Sequence, residues 1–377
     1  MISRKIEKVF TKLIKPISEN KVNCLTNTYN SDFKTKTFDT LSHIKSMIFL
    51  QVSNYNSLHA LVDVYKETPG MQELFNLPSV SQISRKNEQR NYQVFEKTFQ
   101  DIVNYFIKKV GINKASEKLG NIKIMDSTTI QIAAKFAPEL YYECGKSSIK
   151  FNILYNYTKD IPEKVNTFPS KIRDTDCIGD LIVNDGSIYL FDRGYRNYKW
   201  YDTLYDNKIQ FITPLYTDAM VFHCGKRDCS EESAFENVLD RDIILGANAI
   251  KNKDTDENKR VYREITYTDI NSKNEKVEIR LLTNMTNICA EKIIYLYKIR
   301  WKIECFFKWI KQHLTIKHWI GHNENALKIQ IYSALISYVL LQILNIESKK
   351  NITMLKIMRI IRTNLLMNVQ DVPLFGT

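Results

Sequence analysis

Three acidic residues stand where they could do chemistry. Asp126 follows the apolar run Ile122-Lys123-Ile124-Met125, and Asp192 follows Ser187-Ile188-Tyr189-Leu190-Phe191, so each reads as an acid at the end of a strand. In open α/β sheets, ligands bind beyond the carboxyl ends of strands. Carboxylates placed there can hold hard divalent cations, which take oxygen ligands. Two such ions about 3.5–4 Å apart can activate a water or a sugar hydroxyl and stabilise the leaving oxygen of a phosphodiester. Asp is also a common turn residue after a strand, so these two acids alone leave both readings open.

The third acid lies on a helix read from Glu291 to Leu314. At about 100° per residue, Tyr297, Arg300, Glu304, Lys308 and Lys311 share one narrow stripe, and Ile303, Phe307, Ile310 and Leu314 form an apolar stripe beside it. Such a helix can pack one face and present a single acid among cations. Glu304 would then complete a three-carboxylate site. Arg300 would grip phosphate by its fork and Lys311 as a point charge, with Tyr297 hydrogen-bonding a phosphate oxygen. The stripe equally suits a solvated face with an i,i+4 pair such as Glu304–Lys308.

The elements that must position these residues follow from pattern changes. Residues 1–115 read as a helical domain, basic enough to be a DNA-binding module. Phe38 to Lys66 has helical spacing, Ser57 suits an N-cap, Pro69-Gly70 is a break, Ser79-Val80-Ser81-Gln82 can open a short helix, and Tyr92 to Val110 a longer one. From about residue 120 the pattern turns to strands, with Phe151 to Tyr155 and Ile209 to Ile212 joining the two runs above. Residues 215–285 are polar with β-like pieces, Val261 to Tyr267 and Lys276 to Leu282, joined by a turn at Asn271-Ser272-Lys273-Asn274. Helix then dominates from Glu291 to Arg362, the stretch beyond it to Thr377 is uninformative, and 351–377 is set apart as a C-terminal tail.

The motifs have a family resemblance. The spacing Tyr297-x2-Arg300-x3-Glu304-x6-Lys311 is similar to the Y-R-E-K motif of the insertion-sequence-4 family of DDE transposases. Met125-Asp126-Ser127-Thr128 and Phe191-Asp192-Arg193-Gly194-Tyr195 resemble that family's two Asp motifs, and Leu282-Thr283-Asn284, Arg300-Trp301-Lys302-Ile303-Glu304 and Phe307-Lys308 are also similar. Ser57-Leu58 and Ser81 to Arg90 resemble its N-terminal region, so the likeness spans roughly 38–345.

The resemblance implies a mixed α/β fold: a ribonuclease-H-like catalytic core over 116–214 and 286–350, interrupted by a β-rich insertion at 215–285. The 112 positions between Asp192 and Glu304 leave room for such an insertion. It implies a cut-and-paste DNA transposase, a homodimer on double-stranded DNA at terminal inverted repeats and target. Asp126, Asp192 and Glu304 would be both catalytic residues and ligands of Mg2+, with Mn2+ as substitute, Asp126 and Asp192 sharing one ion and Glu304, with Asp126 or Asp192, completing the second. Tyr297, Arg300, Lys308, Lys311 and Arg193 would contact DNA.

The sequence also departs from that family. Pro214 stands where many relatives place an Arg, and Asn152 where a His is common. All four Trp residues lie outside 215–285, so Tyr262 or Tyr267 would have to stack any flipped base there. Competing readings are a ribonuclease-H-like nuclease without strand transfer, and a transposase-derived DNA-binding protein that no longer cuts.

Composition agrees with a polyanionic partner. The 377 residues carry 54 Lys+Arg against 42 Asp+Glu, a net +12, and residues 1–120 alone hold 18 against 11, a net +7. Seven scattered cysteines fit free thiols in a reducing cytoplasm better than a disulfide framework. No secretory h-region is visible at the start, which points to the cytoplasm and the bacterial chromosome. Ile329 to Ile346 is uncharged for nearly a membrane span, but Gln330, Ser333, Ser337, Gln342 and Asn345 interrupt it, so it reads as a core helix and no membrane is expected. His223, Cys224 and Cys229 lack a second ligand pair for structural zinc. His313, His318 and His322 read as DNA-facing or packing residues, and Trp301 and Trp309 as the aromatics most apt to leave the core.

Overall fold

The computed structural model describes the chain except for residues 1–6, 111–120, 134–140, 144–145, 179–180, 229–233, 247–259, 272, 317–318, 322, 351 and 376–377. Cys144, Cys229, Ser272, His318 and His322 therefore lie outside the described residues.

Local capping chemistry cuts the N-terminal third into α1 (Val9–Ile14), α2 (Glu19–Thr28), α3 (Thr40–Ser53), α4 (Leu58–Glu67), α5 (Val80–Gln89) and α6 (Gln93–Val110). Asp39 accepts from the Ser42 backbone N–H to start α3, and Ser57 accepts from that of Ala60 to start α4. Ser79 and Gln82 form a capping box at α5. Asn54 ends α3 in the left-handed region (φ 64), and Gly70, with φ +80, turns the chain between α4 and α5.

The strands are β1 (Ile122–Ala133), β2 (Tyr141–Glu143), β3 (Lys146–Asn156), β4 (Ile161–Pro169), β5 (Ile188–Phe191), β6 (Gln210–Pro214), β7 (Val221–Lys226), β8 (Glu236–Leu245), β9 (Tyr262–Ile270) and β10 (Lys276–Thr283). They form one sheet in the order β2-β3-β1-β5-β6-β10-β9-β8-β7, with β4 also on β3. β1 is antiparallel to β3 but parallel to β5, and β5 is parallel to β6. This is the ribonuclease-H-like core of a mixed α/β fold. The strands of 215–285 build no sheet of their own. Leu281↔Pro214, Leu282↔Thr213 and Thr283↔Ile212 pair β10 with β6, so β7–β10 extend the catalytic sheet.

Alternation along the strands sends side chains to two cores. Ile124, Ile153, Leu190, Ile212 and Leu281 face the large helical core. Met125, Leu154, Phe191, Phe211 and Leu282 face a second core, where Tyr201 and Leu204 of α7 (Tyr198–Asp206) are buried.

Helices return as α8 (Ala290–Lys298), α9 (Trp301–His313), α10 (Glu324–Ser348) and α11 (Met354–Asn364). α10 is apolar all round and passes through the protein interior, with 89% of its most apolar window buried. Four of the polar residues that interrupt it are bonded there: Gln330 bonds the Thr315 carbonyl and Ile320 N–H, Ser333 and Ser337 bond carbonyls one turn back, and Gln342 bonds Asp160. Asn345 donates to the Ile352 carbonyl, while its side-chain oxygen is buried without a partner. It packs on α3, α5 and α6 as well as on β4, so helical layer and sheet share one core. The C-terminal tail is packed against the helical layer. Arg362 of α11 donates to the carbonyls of Val52 and His313, and the chain then pairs with α1 through Val9 N–H to Met367 O, 2.9 Å.

Candidate active site

The expectation of two strand-end acids is half right. Asp192 follows the last residue of β5, but Asp126 lies within the twelve-residue β1, opposite Ile153 of β3. What ends at Asp126 is the parallel ladder. β1 and β5 pair from Ile122↔Ile188 to Met125↔Phe191 and no further, so Asp126 and Asp192 stand level, each one residue past the last pair. β1 continues because β3 still needs a partner on its other edge. The two acids thus meet at the mouth where the parallel strands part. Each accepts the next residue's backbone N–H at 2.7 Å, Ser127 and Arg193 respectively.

Glu304 comes from the helical side, and here a second expectation is corrected. Residues 291–314 are two helices, not one. Between α8 and α9 the bonds tighten to three-residue spacing, with Arg300 N–H to Tyr297 O at 2.9 Å and Ile303 N–H to Arg300 O at 3.2 Å. The expected apolar stripe of Ile303, Phe307, Ile310 and Leu314 is nonetheless buried. Arg300, at the joint, donates to Asp126 at 3.3 Å and to Glu304 at 2.6 Å. Glu304 therefore pairs backward with Arg300.

The site is crowded with negative charge. Burial pushes the Asp126 carboxyl up to about 6, against the pull of the Ser127 N–H and the Arg300 guanidinium, and the charges of Asp192 and Glu304 push it the same way as burial. Burial works against the charge on Arg300, but Tyr297, Glu304, Asp126 and Asp192 outweigh it and hold its proton above the ordinary range. Tyr297, whose ring lies 5.9 Å from the guanidinium, has its hydroxyl pushed up chiefly by burial, so it stays a neutral donor. As the side chains stand, no three His, Cys, Asp or Glu residues among those described are gathered about one point. Instead one Arg bridges two of three electrostatically coupled acids. Carboxylates converging from β1, the loop after β5 and α9 are the donor set a hard divalent cation takes.

The other expected contacts are unevenly placed. Lys311 donates to Thr128, two residues after the first acid. Arg193 is exposed beside Asp192, over the Tyr216 ring. Lys308 is exposed on α9. Trp301 leaves the core, 63% exposed, while Trp309 is half-buried beside His313. Tyr262 and Tyr267 cannot stack a base: both are buried, Tyr262 bonding Asp202 and Tyr267 packing on Phe235. They point to opposite faces of β9, Tyr262 into the second core and Tyr267 into the large one, and both faces are covered there. His223 bonds Glu264 at 2.8 Å, and the described Cys24, Cys177, Cys224, Cys289 and Cys305 are free thiols.

One supporting network escaped the sequence reading. Lys150 and Asn152 lie two apart on β3, on the same face. Lys150 donates to Asp174 (3.0 Å) and the Ile172 carbonyl, and Asp174 also accepts from Ser127 (2.8 Å). Asn152 donates to the Cys177 carbonyl and accepts from the Tyr195 hydroxyl at 2.9 Å. One strand thereby ties the residue after Asp126 to the turn that follows Asp192. The available signal was polar residues at period two, Ser148, Lys150 and Asn152, alternating with Ile149, Phe151 and Ile153.

With this geometry in view, the chain can be set beside known proteins. Residues 117–340 match the transposase DDE domain family, and residues 6–67 match a domain family of unknown function. A transposase y4zB of Sinorhizobium fredii is 26% identical over 71% of this chain and 71% of its own length. A Geobacillus stearothermophilus protein named as transposase for insertion sequence element IS5377 is 24% identical over 74% and 71%. A Synechocystis protein named for insertion sequence element IS4SA is 25% identical over 89% and 91%. The piggyBac transposase, solved as a synaptic complex with hairpin DNA, shares the fold at 10% identity and a TM-score of 0.50, over 96% of this chain and 81% of its own. The match spans the sheet, all three acids and most of α10, and the chain belongs to the DDE transposase family, enzymes that cut and join DNA with a divalent metal.

Proposed function

We propose that this chain is the transposase of an insertion element of the insertion-sequence-4 type. It cuts DNA at terminal inverted repeats and joins the 3′ ends to target DNA, acting in the cytoplasm as a homodimer on the DNA. The observation that carries the reading is the coupled acid trio: Asp126 and Asp192 level at the end of the parallel ladder, with Arg300 bridging Asp126 to Glu304. The insertion-element relatives and the DNA-bound neighbour support it.

Asp126, Asp192 and Glu304 would hold Mg2+, or Mn2+ in its place. When bound, the metal supplies Lewis-acid activation of the attacking oxygen and stabilisation of the leaving oxygen. The residues of this chain do the rest. The three carboxylates leave hard oxygens facing the strand end. Arg300 and Lys311 flank them with fixed positive charge that can hold phosphate oxygens in line. Tyr297, kept neutral, donates a hydrogen bond. Residues 1–115 would bind DNA, and 215–285, continuous with the catalytic sheet, would widen the DNA-facing surface.

The test is cleavage of a labelled duplex carrying the element's terminal repeat, with Mg2+, by wild type and Glu304→Gln. Cleavage lost in the variant while end binding persists supports the assignment. Equal cleavage by both removes Glu304 from the site. End binding without cleavage by either identifies a DNA-binding protein that has lost its chemistry.

A further inference from the structure

The exposed face of α5 has no role in the acid site, yet it is built like a reading surface. Ile83 and Asn87 are buried, while Ser81, Gln82, Arg85 and Gln89 are exposed along the opposite side. The helix is clamped rather than mobile. Asn325 of α10 donates to the carbonyls of Asn87 and Arg90, Asn323 donates to that of Glu88, and buried His43 bonds the Asn87 side chain. A cleft runs along each flank. One, of about 480 Å³, is lined by Phe33, Lys34, Lys36, Gln82, Arg85 and Lys86. The other, of about 800 Å³, is lined by Ser57, His59, Ser84, Arg85, Glu88 and Trp319.

Resting on the transposase reading above, we propose that α5 reads the base sequence of duplex DNA at the element end, with Gln82, Arg85 and Gln89 facing base edges and Lys34 and Lys36 holding the backbone. Charge argues for a polyanion. Lys34, Lys36, Arg85 and Lys86 gather here, whereas Asp32 is spent on Arg90 (2.8 Å) and on Thr40. Lys86 shows the crowding: burial, and then the charges of Arg90 and Arg85, hold its ammonium below the usual range. Shape argues for a duplex. An α-helix with its side chains is about 10–12 Å across, which a major groove about 12 Å wide admits. Residue type argues for sequence reading. Arg pairs with guanine and Gln with adenine in that groove, and Glu88, which a purely backbone-binding surface would exclude, can accept from the cytosine amino group. Position argues for this enzyme. Trp319, lining the larger cleft, donates to the Gln131 carbonyl of β1 (3.4 Å), so the cleft leads toward the strand that carries Asp126.

The test uses the full chain and fluorescence anisotropy on two labelled duplexes of equal length and composition, the terminal repeat and a scrambled version, across a salt series. Arg85→Lys keeps the charge and loses the fork. It should lower the preference for the repeat by roughly tenfold to a hundredfold while holding affinity for the scrambled duplex. Lys34→Ala and Lys36→Ala should weaken both duplexes alike and each lower the salt slope by about one. All three positions are exposed, so folding is not at stake. Wild-type preference unchanged in Arg85→Lys and in Gln89→Ala overturns the proposal. So does the absence of any preference in the wild type, or tighter binding of the same sequence as duplex RNA, whose deep major groove side chains cannot read. None of these results bears on the Glu304→Gln comparison, so the two readings fail separately.

Discussion

Two arginines in this protein meet carboxylates, and they meet them differently. Arg263 of β9 is buried with Asp240 of β8, both guanidinium arms engaging the carboxylate, and its remaining N–H groups reach the carbonyls of Met285 and Ile288. One cation faces one anion and each guanidinium nitrogen donates. Arg300 faces three acids, bonds two, and leaves Asp126 with a raised affinity for protons. The first pair is closed and neutral, as a structural ion pair must be when water is excluded. The second is open and over-supplied with negative charge, a surplus that a proton or a bound cation can relieve. Charge balance thus separates a fastening from a site better than burial does.

The contrast can be broken from either side. Asp240→Asn should leave Arg263 buried without its counter-charge and cost about 3–5 kcal/mol in denaturant unfolding, with no specific loss in end cleavage per folded molecule. A variant that unfolds like wild type would show the pair is not closed. Arg300→Gln should do the reverse. Unfolding should change little, because the acids remain partly solvated, while the end-cleavage rate falls roughly a hundredfold to a thousandfold for a lost preorganised donor. A large stability loss with normal cleavage would make Arg300 another fastening.

Asp174 sharpens the comparison. It is a positioning residue, bonding Ser127 and Lys150 rather than the reacting atoms. Asp174→Asn should raise the Mg2+ concentration needed for half-maximal cleavage roughly tenfold to a hundredfold, with the saturated rate nearly kept. A loss of saturated rate without a shift in the metal curve would contradict that role. The smallest effect belongs to His43, buried beneath α5. Burial, and then the charge of Arg90, hold its pKa well below 6.5, so the folded protein keeps it neutral while the unfolded chain protonates it. Stability from this group is full above about pH 6.5 and is lost as pH falls, by at most about 1.4 kcal/mol per pH unit. A unfolding free energy that is flat from pH 7 to 5 after correction by a His43→Gln control would contradict it.

Much of the site was legible in residue order because its signals are local. The caps at Ser57 and Ser79, the apolar stripe of α9 and the neutral polar residues of α10 all behave as their spacing predicts. The family motifs marked the three acids before any fold was known. The errors share one cause. The burial of Tyr262 and Tyr267, the position of Asp126 within a strand and the break in 291–314 each depend on what lies across from the segment rather than within it.

Composition and spacing by themselves therefore determined which residues could be acids, cations and caps, and that strands precede and helices follow the β-rich stretch, because these are properties of a few neighbouring residues. Only the tertiary structure decided that Met125 pairs with Phe191 and so brings Asp126 level with Asp192, that β10 joins β6 to make one sheet, and that Arg300 bridges acids 174 and 4 positions away. Those outcomes depend on register and packing between segments distant in sequence, where a one-residue slip would turn every side chain to the other face.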